Sequence, residues 1–345
     1  AYIWPAYHDE PRWRQFMPKG EGEWETLRKA KPQFEGHYQP RIPLWGYTSE
    51  SDPKEMERKI EVATEHHVNL FIFDWYWYEN QPFLEETLNK GFLQATNNDK
   101  MSFYLMWANH DASTLWDYEN SNEHKVIWPG TVNLSDFETI MDRVITRYFS
   151  HPLYYKIDGC PVFSIFQVKN LVKGLGGRRK TRKALELFHI KVKEAGFSGL
   201  HIQAILGGIK NRSIKKLGID SLTSYQWAQH VRAQGDYKVW AEKNIAKWKE
   251  WNKKYSIPFF PHVSIGWDTS PRFKERREDV IIHNEPELFG KYIGEAMDFI
   301  DQNQVDPPLI TVNSWNEWCE GSYLEPDMKY KMKYLKALQG ARHIE

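Results

Sequence analysis

Short apolar runs alternate with longer amphipathic segments along most of this chain. Val68–Tyr78 is nearly continuous in apolar residues, the pattern of a parallel strand covered on both faces. Met101–Asn109, Pro161–Gln167, Leu200–Leu206, Ser221–Trp227 and Pro258–Asp268 are further runs of strand length, and Tyr2–His8 is a short first one. A last strand starts at Leu309, where Ile310 and Val312 alternate with Thr311 and Asn313. Helical stripes fill the intervals. Asp52-Pro53 predicts a cap and a first helical residue, with Met56, Ile60 and Ala63 facing inward. A helix is predicted across Phe83–Ala95. Another is opened by Asp136, with Phe137, Met141, Val144 and Tyr148 on its buried stripe. A basic helix lies near Arg182–Ala195, a short helical stretch precedes Gly218, and a long helix covers Tyr237–Tyr255. Pro286 begins a helix that buries Leu288, Ile293, Ala296 and Ile300, and Asp327 is expected to cap a closing helix through Met332, Leu335 and Leu338. Glu10–Gly46 is irregular, and loops of that length are usually functional.

About eight strands in alternation with about eight helices predict an α/β fold, a single (β/α)8 TIM barrel with long βα loops. One domain over residues 1–345 accommodates it. A doubly wound sheet is the alternative, but no Gly-x-Gly-x-x-Gly turn follows the first strand. Barrel active sites lie at the C-terminal ends of the strands. Polar and aromatic residues do gather late in each run: Tyr7 and His8, Asp74 and Tyr76, Trp107 and Asn109, Gln167, Tyr225 and Trp227, Trp267 and Asp268. Arg272 follows shortly after, and Asn313 and Trp315 close the last run. These form the candidate substrate-binding set.

The sharpest chemistry follows that last strand, where Asn316, Glu317, Glu320, Glu325 and Asp327 crowd together and Gly321 and Pro326 mark a turn. On a strand, Glu317 and Glu320 would point to opposite faces; on a helical turn they share one. Two carboxylates in one pocket beside aromatic rings suit glycosidic bond cleavage, which needs one acid protonated and one ionised. An acidic solvated turn is the plainer reading of the same residues. Glu325 and Asp327 are better suited to ending the turn and capping than to chemistry.

Composition narrows the choice. Lys plus Arg and Asp plus Glu both number 46, so broad electrostatic binding to nucleic acid or an anionic membrane is not expected. The basic run Lys173–Lys183 reads as a solvated loop and helix face. The chain carries 16 Trp and 18 Tyr, rings that cover the apolar faces of sugars while leaving hydroxyls free to hydrogen-bond. The two cysteines, Cys160 and Cys319, read as free and structural. No apolar run reaches membrane-spanning length, no ligand spacing indicates a metal, and no cofactor is expected. Ala1 falls almost inside a strand, so a trimmed chain, periplasmic or secreted if it is a hydrolase, is the expectation.

Asn316-Glu-Trp-Cys-Glu-Gly-Ser-Tyr-Leu-Glu-Pro-Asp327 resembles the signature of WbsX-type proteins, the glycoside hydrolase family 99-like group. Gly266-Trp-Asp-Thr-Ser-Pro-Arg272 is similar to that group's second signature, and Tyr2–His8 and Leu44-Trp-Gly-Tyr47 to its opening segments. The resemblance implies a barrel acting on glycosides with retention. It implies that Glu317 takes the sugar 2-hydroxyl proton to form a 1,2-anhydro intermediate, and that Glu320 protonates the leaving oxygen and then activates water. It offers Tyr225 and Arg272 as substrate-orienting groups, and an α-mannoside-like linkage for an oligosaccharide or polysaccharide substrate. WbsX-type proteins also carry a glycosyltransferase label. A transferase of polysaccharide biosynthesis and a non-catalytic carbohydrate-binding barrel therefore stand as alternatives.

Overall fold

The computed structural model describes residues 1–207 and 210–341. Six parallel strands form one curled sheet, in the order β1 (Tyr2–Ile3), β2 (Leu70–Tyr78), β3 (Ser102–Trp107), β4 (Cys160–Ile165), β5 (His201–Ile205) and β6 (Ser221–Thr223). All nine residues of β2 are buried, which is why it reads as an unbroken apolar run. Two further strands, β7 (His262–Ser264) and β8 (Thr311–Asn313), pair in parallel with each other. Backbone bonds join them to the curled sheet on both sides. Leu222 of β6 donates to Pro258 O at 2.9 Å and accepts from Phe260 N at 2.8 Å, and Trp315 N, just past β8, donates to Tyr2 O at 2.8 Å.

Helices α1 (Pro53–Glu65), α2 (Leu134–Val144), α3 (Arg178–Glu194), α4 (Asn211–Leu217), α5 (Tyr237–Lys254), α6 (Pro286–Asn303) and α7 (Lys333–Gln339) follow strands in sequence. Asp52 caps α1 by accepting from Lys54 N at 2.9 Å, with Pro53 as its first residue. α4 ends at Gly218 in the left-handed conformation, φ +65°.

Several expected elements differ. Phe83–Ala95 is not a helix: Gln81–Phe83 folds back as a strand on Tyr76–Tyr78, and a single π turn covers Thr87–Phe92. Asn133, not Asp136, opens α2, accepting from Asp136 N at 3.0 Å. The basic helix starts earlier, at Arg178. On α6, Ile293, Ala296 and Ile300 are buried as expected, joined by Phe289 and Tyr292, while Leu288 is only half-buried. Asp327 caps no helix; it accepts from Tyr323 Oη at 2.7 Å and from Tyr330 N at 2.5 Å, closing a turn ahead of α7. The first strand stops at Ile3, far short of His8.

Candidate active site

β8 delivers the chain into a small, rigid loop. Asn316–Glu317 pairs antiparallel with Ser322–Tyr323, and Trp318–Glu320 forms a 3-10 turn between them. The turn brings Glu317 and Glu320 to one side, as their three-residue spacing predicts. Gly321 closes the turn at φ +65°, and a Cβ there would sit 2.7 Å from Arg41 Nη2 and 3.0 Å from the Asp268 Cβ. The loop is tied down from beneath. Asn316 accepts from Trp4 N at 2.7 Å and donates to Trp4 O and Glu50 Oε1, both at 2.8 Å. Lys59 Nζ lies 2.5 Å from both Glu50 Oε1 and Glu325 Oε1, with all three side chains buried. Glu325 also accepts from the indoles of Trp315 at 3.0 Å and Trp318 at 2.8 Å.

Above the loop, Glu317 and Glu320 line a cavity of about 160 Å³. Trp4, Tyr76, His110, Trp116, Phe166 and Trp267 supply its aromatic walls, and Asp74, Tyr225 and Arg272 its other chemistry. Arg272 sits at the centre of the acids. Its Nε donates to Glu23 Oε1 at 2.7 Å, its Nη1 to Glu320 Oε1 at 2.6 Å, and its Nη2 reaches Glu317 Oε2 at 3.5 Å. Trp4 Nε1 donates to the other Glu23 oxygen at 2.7 Å. A planar guanidinium can bind this many carboxylates in fixed directions, which an ammonium could not.

The Tyr225 hydroxyl is 2.7 Å from Asp74 Oδ2 and 2.9 Å from Glu317 Oε1. One hydroxyl proton cannot serve two carboxylates, since ionised carboxylates only accept. One of the two acids must therefore carry a proton and donate it to the tyrosine oxygen.

The surroundings favour held protons. Burial pushes the Glu317 carboxyl well above the usual range, and the neighbouring Glu320 adds to this, against the pull of Arg272. Burial also raises Glu320, with Arg272 opposing. Asp74 is driven up by burial, with the Tyr225 bond pulling the other way. Arg272 itself stays firmly charged: burial opposes its charge, but Glu23, Glu320 and Glu317 outweigh that.

Of the residues expected at the site, Asp74, Tyr76, Tyr225, Trp267, Arg272, Glu317 and Glu320 line this cavity. The others are held elsewhere. Tyr7 stacks on Trp24 at 3.9 Å, and its hydroxyl accepts from Trp318 N at 3.2 Å. His8 is buried, with Nδ1 3.1 Å from Thr87 Oγ1; burial lowers its pKa to about 4. Trp107 stacks on Phe137 of α2 at 5.7 Å. Asn109 exchanges hydrogen bonds with the backbone of Gln167. Trp227 donates to His262 O at 2.9 Å inside the core, and Trp315 is bound to Glu325. Asn313 accepts from Gln226 at 2.9 Å. Burial alone would raise the Asp268 carboxyl, but Arg41 and His37 hold it well below the usual range. Arg272, close to Asp268 in sequence, pairs with the glutamates.

Reading the sequence missed Trp4, Glu23, His110 and Trp116. Trp4 lies within the apolar opening run Tyr2–His8 and His110 in a polar loop after β3, so both had a signal. Glu23 had none. Both cysteines are free, and Cys319 is buried beneath the turn with its thiol 3.9 Å from Glu23 O. Among the described residues, no three His, Cys, Asp or Glu side chains converge as metal ligands, and no helix is long and apolar enough to cross a membrane.

The family model described as Glycosyltransferase WbsX matches residues 1–338. The protein WxcX of Xanthomonas campestris pv. campestris is 24% identical over 99% of this chain and 49% of its own length. Glycoprotein endo-alpha-1,2-mannosidase of Rattus norvegicus is 22% identical over 86% of this chain and 60% of its own. The chain thus spans about half the length of the curated relatives it matches. In structure, the GH99 endo-alpha-mannosidase of Bacteroides thetaiotaomicron superposes with TM-score 0.61 at 15% identity, covering 98% of this chain and 94% of that one. A glycoside hydrolase-like protein superposes with TM-score 0.63 at 14% identity, covering 91% and 92%. The fold is shared with both.

Proposed function

The chain belongs to the family described as Glycosyltransferase WbsX, and from that membership and the geometry of its acids we propose that it is a retaining glycoside hydrolase acting on an oligosaccharide or polysaccharide. One observation carries the reading: Glu317 and Glu320 line one aromatic-walled cavity, both touch Arg272, and both have raised proton affinity. Similarity to endo-alpha-mannosidases in sequence and fold supports it, and brings an α-mannoside-like linkage into the proposal. The eight strands act as one barrel, the bonds between β6 and β7 and between Trp315 and Tyr2 being its closing seams, and the whole chain serves as one catalytic unit.

Glu317 takes the proton of the sugar 2-hydroxyl, and the 2-oxygen attacks the anomeric carbon. Glu320 protonates the departing glycosidic oxygen. Glu320, now ionised, takes a proton from water as that water opens the 1,2-anhydro ring, and Glu317 returns its proton to the 2-oxygen. Two inversions give net retention. For Glu317 to be the ionised base, Asp74 is the acid that holds the extra proton, donating it to Tyr225, which donates in turn to Glu317. Arg272 keeps the two glutamates in register.

The test is product release from a panel of glycans by the wild type, Glu317→Gln and Glu320→Gln. Defined sugars from the wild type, lost in both variants while glycan binding persists, is the expected result. A wild type that cuts nothing, yet extends an acceptor when given an activated sugar donor, would replace hydrolysis with the transfer that the family's description names.

A further inference from the structure

The cavity over Glu317 and Glu320 has a neighbour. A larger cleft of about 520 Å³ begins across Phe166 and Gln229, which line both spaces. It lies past the ends of β4 and β5, on the side of the fold where the acid pair sits. Its charged lining is of one sign: among the described residues Lys169, Arg178 and Lys210 face it, and no Asp or Glu does. All three cations are exposed, and none is ion-paired among the described residues, whereas Arg182 and Lys191 on α3 pair with Glu186 and Asp142. Arg178 opens α3 with no capping side chain and no acid in the first turn, so the helix end adds to the positive field instead of offsetting it. The imbalance is local, because the chain as a whole carries no net charge.

We propose that this cleft receives an anionic part of the substrate: the glycan cut at Glu317 and Glu320 bears a carboxylate or phosphate group next to the sugars at the scissile bond. The inference rests on the glycosidase reading for the position of the cut. The cleft itself stands on its continuity with the cavity and its acid-free lining. Ser213, buried in its floor, adds a neutral donor beside the cations.

The full chain and its Lys169→Ser, Arg178→Ser, Lys210→Ser triple variant are titrated with an oligogalacturonate, a phosphomannan oligosaccharide and neutral α-1,2-mannotetraose, each at low and high salt. For the wild type, at least one charged glycan should bind about tenfold more tightly than the neutral one, the sum of three exposed charge contacts. That preference should shrink as salt rises and fall to about twofold or less in the triple variant. Which charged probe is preferred identifies the carboxylate or the phosphate. Equal binding of charged and neutral glycans, or a preference that survives in the triple variant, overturns the proposal. Melting curves of the two proteins confirm that the exposed substitutions leave the fold intact. Product release by the wild type is scored separately. Charged-glycan binding without any cleavage sinks the hydrolase reading and leaves this one, and cleavage without charge preference does the reverse.

Discussion

Lys59→Met isolates the element that holds the acid turn in place. Lys59 Nζ lies 2.5 Å from Glu50 and 2.5 Å from Glu325, with the three side chains 2%, 1% and 3% exposed. Methionine keeps most of the volume and removes the charge, leaving two buried carboxyls facing each other. Breaking a buried pair by removing one partner typically costs about 3–5 kcal/mol. An unfolding entropy of about 2.1 cal/mol/K per residue gives about 0.7 kcal/mol/K for 345 residues. The melting temperature should therefore fall by about 4–7 °C near pH 7. The loss must also depend on pH. Glu50 is already raised to about 7, by burial and Glu325 against the pull of Lys59. A carboxyl with a raised folded pKa contributes stability that is complete below its unfolded value, near 4.5, and is lost as pH rises through the folded one. Without Lys59 that folded value moves higher still, so Glu50 ionises less readily and the variant suffers most above pH 7. Differential scanning calorimetry at pH 5 and pH 8 measures both effects. A drop of under about 1 °C, or one of equal size at the two pH values, would refute the reasoning.

Tyr225→Phe removes the proton donor between Asp74 and Glu317. A hydrogen bond to a charged group contributes about 1.5–3 kcal/mol, so kcat/KM on a cleaved glycan should fall about 10- to 150-fold and the melting temperature by about 2–4 °C. An unchanged kcat/KM would remove Tyr225 from the mechanism. The rate should follow a bell-shaped pH profile with both limbs above the ordinary carboxylate range. Activity is lost as pH falls and Glu317 takes up a proton, and lost again as pH rises and Glu320 gives one up, both acids being raised mainly by burial. An optimum below pH 4.5, the usual Glu value, would contradict those environments. Gly321→Ala combines φ +65° with a Cβ 2.7 Å from Arg41 Nη2, and should lower the melting temperature by about 1–4 °C, as expected of about 1–3 kcal/mol of backbone strain. Thermal denaturation matching the wild type would show that the turn relaxes freely.

Elements buried on both faces were the most legible. β2 could be read because every position but Asp74 is apolar or aromatic, and α1 because its cap and proline mark its start. The Phe83–Ala95 segment misled because Leu84, Leu88 and Phe92 repeat at helical spacing, while the decisive signal was the two-residue turn before it. Glu79 and Asn80 both have positive φ, +54° and +57°, the geometry of a tight hairpin. The same alternation explains the site. Asp74 and Tyr76 face the cavity, and so do Met106 and Ala108, which turns Trp107 outward onto α2. Trp4 was passed over for Tyr7 and His8 because β1 is far shorter than its apolar run, so the strand ends at Ile3 and the next residue faces the cavity. Spacing offered Glu317 and Glu320 as a pair only if they fell on a helical turn, which the 3-10 turn at Trp318–Glu320 supplies. Glu23 could not be found, because its role depends on meeting Arg272 across 249 positions of chain.

The bonds from Trp4 to Asn316 span 312 positions. During synthesis, Trp4, Glu23 and Asp74 leave the ribosome long before the turn bearing Glu317 and Glu320 exists, and they wait with their partners missing. Contacts this distant are slow to form, and the intermediate that precedes them exposes unpaired strand edges. The cavity over Glu317 and Glu320 is thus completed late, when the last strand settles beside the first. A nascent chain stalled before residue 317 can hold much of the hydrophobic core and yet have no acid pair at all.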